Sequence, residues 1–300
     1  MRQRTLQRFT EGVLNAAAIM PWGFNWKLAQ VLGRMWFHLD GKHRRIALNN
    51  LETALRHTLG KQERKRIACQ NFIHLANIVL ELPYLRTLTQ KNIDEVVTFY
   101  GVENFDAALQ EGRGVLILAS HFGNWELMAL AFSLRYRPIN IVIRPLDNPL
   151  LNCLIDAMRT RGGNQTIKKK GSVRKILRLL ADGEAVAMVI DQNLTWYDGV
   201  FVPFFEKIAC TNKAIATLAL RTGAPVISAY NVRQRDGSYQ ICIEPEVELI
   251  RSGDRRRDVE ENTAKFNKVI ERYIRRYPEQ WFWVHQRWKT RPYKPWPRKS

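Results

Sequence analysis

Metal-ligand spacings, nucleophile elbows and bilayer-length apolar runs are all missing from these 300 residues. The four cysteines, Cys69, Cys153, Cys210 and Cys242, are scattered and form no C-x-x-C. That pattern excludes a zinc module and a disulfide framework, and the expectation is reduced, buried thiols in a cytosolic setting. Without a G-x-S-x-G, a serine or cysteine nucleophile has no support. Helix-turn-helix, zinc-finger and RNP patterns are absent too. A cleavable signal peptide is not evident. Arg2, Arg4 and Arg8 precede an apolar stretch that Glu11 interrupts, and no small-residue cleavage site follows. Gly12 to Trp26 carries no charge but holds Asn15 and Pro21, and is shorter than the ~20 residues a spanning helix needs. Acidic residues are scarce as well: 28 Asp and Glu stand against 47 Lys and Arg, a net charge of +19. Such an excess implies an acidic partner, whether nucleic acid, an anionic membrane surface or an acidic carrier protein.

What is present is enough for a large core. A hydrophobic fraction of 46% is ordinary, and the length suits one large α/β domain or two small ones. The first ~90 residues read as helical, with Ile67, Phe72, Leu75, Val79 and Leu82 at three- and four-residue intervals. From residue 114 the pattern changes. Strands are expected at 114–119, 139–143, 185–190, 225–232 and 239–248, and helices at 124–135, 149–160, 172–182 and 211–222. This alternation predicts an α/β fold with a mainly parallel central sheet flanked by helices. A last helix is expected to begin with Asp258 and Glu261 as a capping-box-like start and to stop before Pro278. The expected organisation is an N-terminal helical, membrane-interfacial cover (1–90), a catalytic unit (91–292) and a basic aromatic tail (293–300).

One hexapeptide carries the chemistry. His121-Phe122-Gly123-Asn124-Trp125-Glu126 follows the apolar run Gly114–Ala119 and precedes Leu127–Leu130, so it sits at a strand-to-helix turn. On an ideal helix the two ends would lie roughly 140° apart. His121 and Glu126 meet only if the histidine occupies the turn, for which Gly123 supplies backbone freedom. A carboxylate that fixes the imidazole tautomer makes a general base. A histidine that merely caps a helix beside a surface glutamate is the competing reading of H-x4-E alone.

Other residues line up with that turn. Arg144 closes a strand beside Pro145 and suits an anionic group. Asp191 follows Val186–Ile190 at another strand's carboxyl end, where open α/β sheets place ligands. It would orient Arg144 or position an acceptor, with Gln192 and Asn193 adding neutral hydrogen bonds. Lys168, Lys169 and Lys170, followed by Ser172 at a helix entry, suit a phosphate. The segment Phe201-Val202-Pro203-Phe204-Phe205 is either core or the wall of an apolar substrate site. Trp281, Trp283, Trp288, Tyr293 and Trp296, interleaved with Arg287, Lys289, Arg291, Lys294, Arg298 and Lys299, suit a membrane interface. His285 reads as structural.

The chain resembles the lipid A late acyltransferases of the glycerolipid acyltransferase superfamily. The resemblance rests on His121–Glu126, the Arg144–Pro149 block, Asp191-Gln192-Asn193, Gly199–Phe205, Thr222–Ile227 and Tyr277–Trp281 running on to Trp288-Lys289, in that order along the chain. It implies transfer of a fatty acyl group from acyl-acyl carrier protein to a hydroxyl of a Kdo-bearing lipid A precursor. The transfer would run through a ternary complex at the cytoplasmic face of the bacterial inner membrane. His121 would be the base, Glu126 its support, and Asn124 or helix N–H groups the oxyanion donors. Neither metal nor bound cofactor is required, and the acidic carrier, an anionic membrane surface and the glycolipid acceptor would be the partners rather than nucleic acid. The same chemistry on another acceptor, a lysophospholipid or a phosphatidylinositol mannoside with acyl-coenzyme A as donor, is the alternative. A basic nucleic-acid-binding protein and a metallohydrolase are weaker ones.

Overall fold

A computed structural model describes residues 22–292; the expectations placed on residues 1–21 and 293–300 fall outside it. Three helices lead: α1 (Trp22–Leu39), α2 (Gly41–Leu55) and α3 (Lys61–Leu85). Alternating elements follow: β1 (Val97–Tyr100), α4 (Val102–Gln110), β2 (Val115–Ala119), α5 (Trp125–Arg135), β3 (Asn140–Ile143), α6 (Pro149–Thr160), β4 (Gln165–Lys168), α7 (Val173–Ala181) and β5 (Ala185–Val189). A hairpin of β6 (Gly199–Phe204) and β7 (Lys207–Asn212) leads to α8 (Ala214–Thr222), β8 (Val226–Arg233), β9 (Tyr239–Glu246) and α9 (Arg255–Arg276).

Seven strands make one sheet in the order β1-β9-β8-β2-β5-β3-β4. Its pairs are parallel except β8 with β9. The mainly parallel, helix-flanked α/β fold expected from the alternation is what the chain adopts. Buried along its whole length, β2 sits between β8 and β5, as a continuous apolar run should. The N-terminal helices share a core with the sheet unit: Phe37, Leu51 and Phe72 belong to the same cluster as Phe204, Trp281 and Trp283. Gly33 explains how closely α1 and α3 pack, since a Cβ there would stand 2.3 Å from the Ile73 Cα.

Several local expectations need correction. The strands β1, β4, β6 and β7 were not expected; β1 and β4 are four-residue edge strands too short to declare a period. The hairpin holds Pro203 and turns through Phe205 and Glu206, both at positive φ. Helix α9 is capped by Asp254, which accepts from the Arg256 and Arg257 amides. Asp258 lies inside the helix, where its carboxylate accepts from Ser252 N and Oγ. Ser172 makes no capping bond, and its hydroxyl donates to Lys169 O instead. All four cysteines are free, but only Cys210 is buried; Cys69 and Cys242 are half-buried and Cys153 is exposed.

The largest correction concerns the C-terminal aromatics. Trp281 and Trp283 are core residues, 1% and 0% exposed, and Arg287 is fully buried with them. Its guanidinium donates to Cys210 O and Thr211 Oγ1 and lies over the Phe204 ring. Burial lowers its pKa to about 10. An alternation of rings and cations looks the same whether it faces headgroups or packs around one buried cation.

Candidate active site

His121 and Asp191 stand side by side because their strands do. Ala119 on β2 pairs in register with Val189 on β5, and each functional residue lies two positions beyond its partner in that pair. The Asp191 carboxylate accepts the His121 backbone N–H at 2.9 Å on Oδ2 and faces His121 Nδ1 at 2.8 Å through Oδ1. Trp281 donates its indole N–H to Oδ2 at 2.8 Å. Burial by itself would raise the Asp191 pKa, but the His121 charge and these three donors outweigh it and hold the carboxyl at about 2. An ionised carboxylate on Nδ1 fixes the proton there and leaves Nε2 free as a base. Gln192 Nε2 lies 3.4 Å from that nitrogen.

Glu126 does not hold His121. Its carboxylate, 8% exposed, is clamped by Arg159 of α6, with Nε at 2.7 Å and Nη2 at 2.5 Å, and accepts from the Trp125 indole at 3.1 Å. Trp125 is the residue beside the imidazole, with ring centroids 5.2 Å apart. Glu126 lies in the first turn of α5, and the helical rotation carries its side chain away from the turn that holds His121.

The expectation that Asn124 donates to an oxyanion is likewise corrected. Asn124 is fully buried and both ends of its amide are used: Oδ1 caps α5 by accepting the Leu127 N–H at 3.0 Å, and Nδ2 donates to Glu81 at 2.8 Å. Gly123, at φ +59°, presses its backbone against β8. A Cβ there would meet Asn231 O at 2.1 Å, so no larger residue keeps this turn in place.

His121 opens onto a cavity of about 560 Å³. One face of the sheet forms its floor, with Ile117 and Ala119 of β2, Ala187 and Val189 of β5 and Ile227 and Ala229 of β8, and Met128, Ala129 and Phe132 of α5 cover it. Because α5 begins beside His121 and runs back along the sheet, the path from Trp125 to Phe132 spans roughly 10 Å at 1.5 Å per residue. Polar groups gather where His121, Glu126, Arg144, Asp147, Arg159 and Gln192 line the cavity. Trp36 and Val79 line it from the N-terminal helices.

Residues 2–290 match the family described as bacterial lipid A biosynthesis acyltransferase. The lipid A biosynthesis palmitoleoyltransferase of Escherichia coli (strain K12) is 30% identical over 288 residues, covering 95% of this chain and 91% of that protein. The chain belongs to this family. It is an acyltransferase. The lipid A biosynthesis lauroyltransferase of the same organism is 29% identical over 283 residues, or 94% and 90% of the two chains. Among solved structures, the 1-acyl-sn-glycerophosphate acyltransferase from Thermotoga maritima overlaps with a TM-score of 0.35 at 13% identity, over 82% of this chain and 98% of that one.

The remaining residues expected at the acyltransferase site are spread out. Arg144 lines the cavity but is exposed and ion-paired to Asp147 at 3.1 Å. Asp191 does not orient it. Lys168, Lys169 and Lys170 are exposed beside edge strand β4, three strand spacings from β2, or roughly 14 Å along the same carboxyl edge. Phe204 is wholly buried against Trp281 and Trp288, and neither it nor Phe201 lines the cavity. The sequence pattern singles out neither Arg159 nor Glu81, and it assigns Trp281 to a different role. Arg159 lies in a helix that reads as ordinary, and Trp281 looked like a membrane anchor.

His74 and His285 supply a pH test. Burial lowers His74 to about 3 and His285 to about 4, each from an ordinary 6.5. Below pH 6.5 the unfolded chain takes up protons on these rings while the folded chain does not. Their neutrality therefore costs nothing above 6.5 and subtracts stability as pH falls toward 4, by on the order of a few kcal/mol. Thermal melts between pH 7 and 4 should show a steep loss of Tm that is shallower in His74→Gln. Parallel curves for the two proteins would exclude His74 as the source.

Proposed function

We propose that this acyltransferase moves a fatty acyl group from a thioester donor, acyl-acyl carrier protein, to a hydroxyl of a lipid A precursor, with His121 as general base and Asp191 as the carboxylate that orients it. One observation carries the reading: the free Nε2 of an Asp191-held histidine faces the polar end of an apolar cavity. The acceptor hydroxyl gives its proton to Nε2 as its oxygen attacks the thioester carbonyl. Collapse of the tetrahedral intermediate breaks the carbon–sulfur bond, and the imidazolium returns the proton to the leaving thiolate. The positive end of α5 lies beside this centre and Gln192 brings an amide donor, the kind of group that stabilises a developing oxyanion. Glu126 and Arg159 line the same cavity, where a paired guanidinium suits the polar part of a substrate.

The cavity suits a hydrocarbon chain lying along the sheet, out of water. Trp36 on α1 and Val79 on α3 line it; Val79 is exposed, and so are Val31, Leu32, Met35 and Leu39 along α1. Exposed apolar residues on the helices that line the cavity support substrate entry from a membrane surface. On this reading the enzyme works at the cytoplasmic face of the bacterial inner membrane, peripheral or with a short N-terminal anchor; among the described residues no helix is long and apolar enough to cross a bilayer.

The test is reconstitution: purified protein, acyl-acyl carrier protein or acyl-coenzyme A, and a Kdo-bearing lipid A precursor in mixed micelles, with mass spectrometry of the lipid. One added acyl group, formed faster from the carrier-protein thioester, is expected. Transfer only to a phosphatidylinositol mannoside or a lysophospholipid would overturn the acceptor, and preference for the coenzyme A ester would overturn the donor. Filling the cavity supplies a second check. Ala187→Phe should reduce transfer of long chains about tenfold or more while sparing short ones, because overpacking a shaped apolar site costs roughly 1–3 kcal/mol. Equal losses at all chain lengths would remove the cavity as the acyl site.

A further inference from the structure

Helix α3 turns a row of polar residues inward. Asn71, His74, Asn77 and Glu81 follow one another at three- and four-residue steps, and all four are buried. Such spacing is usually a solvated face, and buried polar groups persist where partners satisfy them. For Asn71 and His74 the partners belong to the catalytic turn and to the strand-like segment that braces it, and Asn77 bonds Glu81. Asn71 Nδ2 donates to Glu279 O and Trp281 O at 2.9 and 2.5 Å. The His74 imidazole N–H donates to Gly123 O at 3.3 Å.

Glu81 is the hub of the row. Its carboxylate is 1% exposed. Oε2 accepts from Asn124 Nδ2 at 2.8 Å and from the Tyr239 hydroxyl at 2.7 Å. Oε1 accepts from Asn77 Nδ2 and faces Arg233 Nε at 3.5 Å. Asn124 is the cap of α5 and its carbonyl accepts from Asn231 Nδ2 at 2.7 Å. Arg233 binds the brace in turn, its backbone N–H donating to Gln280 Oε1 and its carbonyl accepting from Gln280 Nε2. The brace bonds both sides of the turn: Gly123 N–H donates to Gln280 O, and Phe282 N–H donates to His121 O.

We infer that Glu81 is a positioning residue for the acyl transfer: through Asn124 and Arg233 it holds the turn that carries His121 in register with Asp191. The inference rests on the catalytic reading of His121, from which its test is separable. Glutamine at position 81 offers one acceptor oxygen where the site presents four donors, so Glu81→Gln turns an amide N–H toward donors and releases one end of the turn.

Two measurements decide it. The first is ¹⁵N NMR of histidine-labelled protein, with His121 assigned by the signals lost in His121→Ala. The wild type should show the Nδ1–H tautomer, and Glu81→Gln a mixed or exchange-broadened one. The second is steady-state kinetics on protein shown to be folded at the assay temperature. Glu81→Gln should lower kcat about tenfold to a hundredfold and leave the donor KM within about twofold. Asn124→Ser keeps a capping oxygen but loses the amide donor to Glu81. Combined with Glu81→Gln, it should cost no more kcat than the worse single change, because both cut one link. Tyr239→Phe removes a donor from the same carboxylate without touching the turn, and should lower Tm while kcat holds. Unchanged His121 signals in a Glu81→Gln protein with reduced Tm would overturn the inference and leave Glu81 a core residue only. Altered signals with a wild-type kcat would instead keep the positioning and remove His121 as the base.

Discussion

Alanine at position 121 should lower acyl transfer by about 10²–10⁴-fold, the usual worth of a positioned general base. The protein should remain folded. The imidazole contributes contacts to Trp125 and Phe282, but the Asp191 carboxylate keeps two of its donors, the backbone N–H of residue 121 and the Trp281 indole. An uncompensated buried charge, the costliest consequence of removing one member of an ion pair, is therefore largely avoided. The loss should appear in kcat rather than in the donor KM, because proton transfer develops only at the transition state while the acyl chain binds the same cavity before it. The check is initial rates with saturating donor, together with a thermal melt. A folded His121→Ala protein with wild-type turnover would end the general-base mechanism and turn attention to the Glu126–Arg159 pair.

The parts of this site legible in the sequence were those expressed by a single segment. A buried run followed by His121, Gly123 and a helical pattern places the histidine at the carboxyl edge of a strand, because strand, turn and helix each leave a local period. The same rule put Asp191 at another strand's carboxyl edge. What the sequence does not carry is which strands are neighbours. Had β2 and β5 been separated in the sheet, His121 and Asp191 could not have met, and only the order β8-β2-β5 brings them within hydrogen-bonding distance. Glu126 was assigned to His121 by proximity along the chain, yet its partner, Arg159, lies on another helix. Buried polar residues mislead in the same way. Asn71, His74, Asn77 and Glu81 have the spacing of a wet helix face, and Trp281, Trp283 and Arg287 have the composition of a membrane anchor. Asn71, His74, Glu81, Trp281 and Arg287 each bond a segment far away in the chain. Hydrophobic periodicity records where water is excluded by apolar neighbours, and it is silent where hydrogen bonds do the excluding.

Asparagine in place of Asp191 should be nearly as damaging as the loss of His121, and far worse than glutamine in place of Glu126. The reason lies in the number of donors around the carboxylate. Oδ2 receives both the His121 amide and the Trp281 indole, and Oδ1 receives Nδ1–H. An asparagine has one acceptor oxygen, and the two donors on the Oδ2 side claim it. Its NH₂ group then faces Nδ1 and donates to it, which drives the ring proton onto Nε2, the nitrogen that must be free to accept one. The side chain stays in place and the tautomer is wrong. A change of that kind costs about 10⁴-fold in kcat where a histidine base depends on a buried aspartate. Glu126→Gln keeps an oxygen for the Arg159 fork but loses the bidentate charge pair. The expected cost is mostly stability, about 1–3 kcal/mol for a half-satisfied, partly buried arginine, with kcat falling by about tenfold or less. Matched kcat, KM and Tm for the two variants, with ¹⁵N signals of His121 to read the tautomer directly, make the comparison. If Glu126→Gln loses more turnover than Asp191→Asn, then the imidazole changes partner when substrate binds, and Glu126 is the carboxylate that works with it.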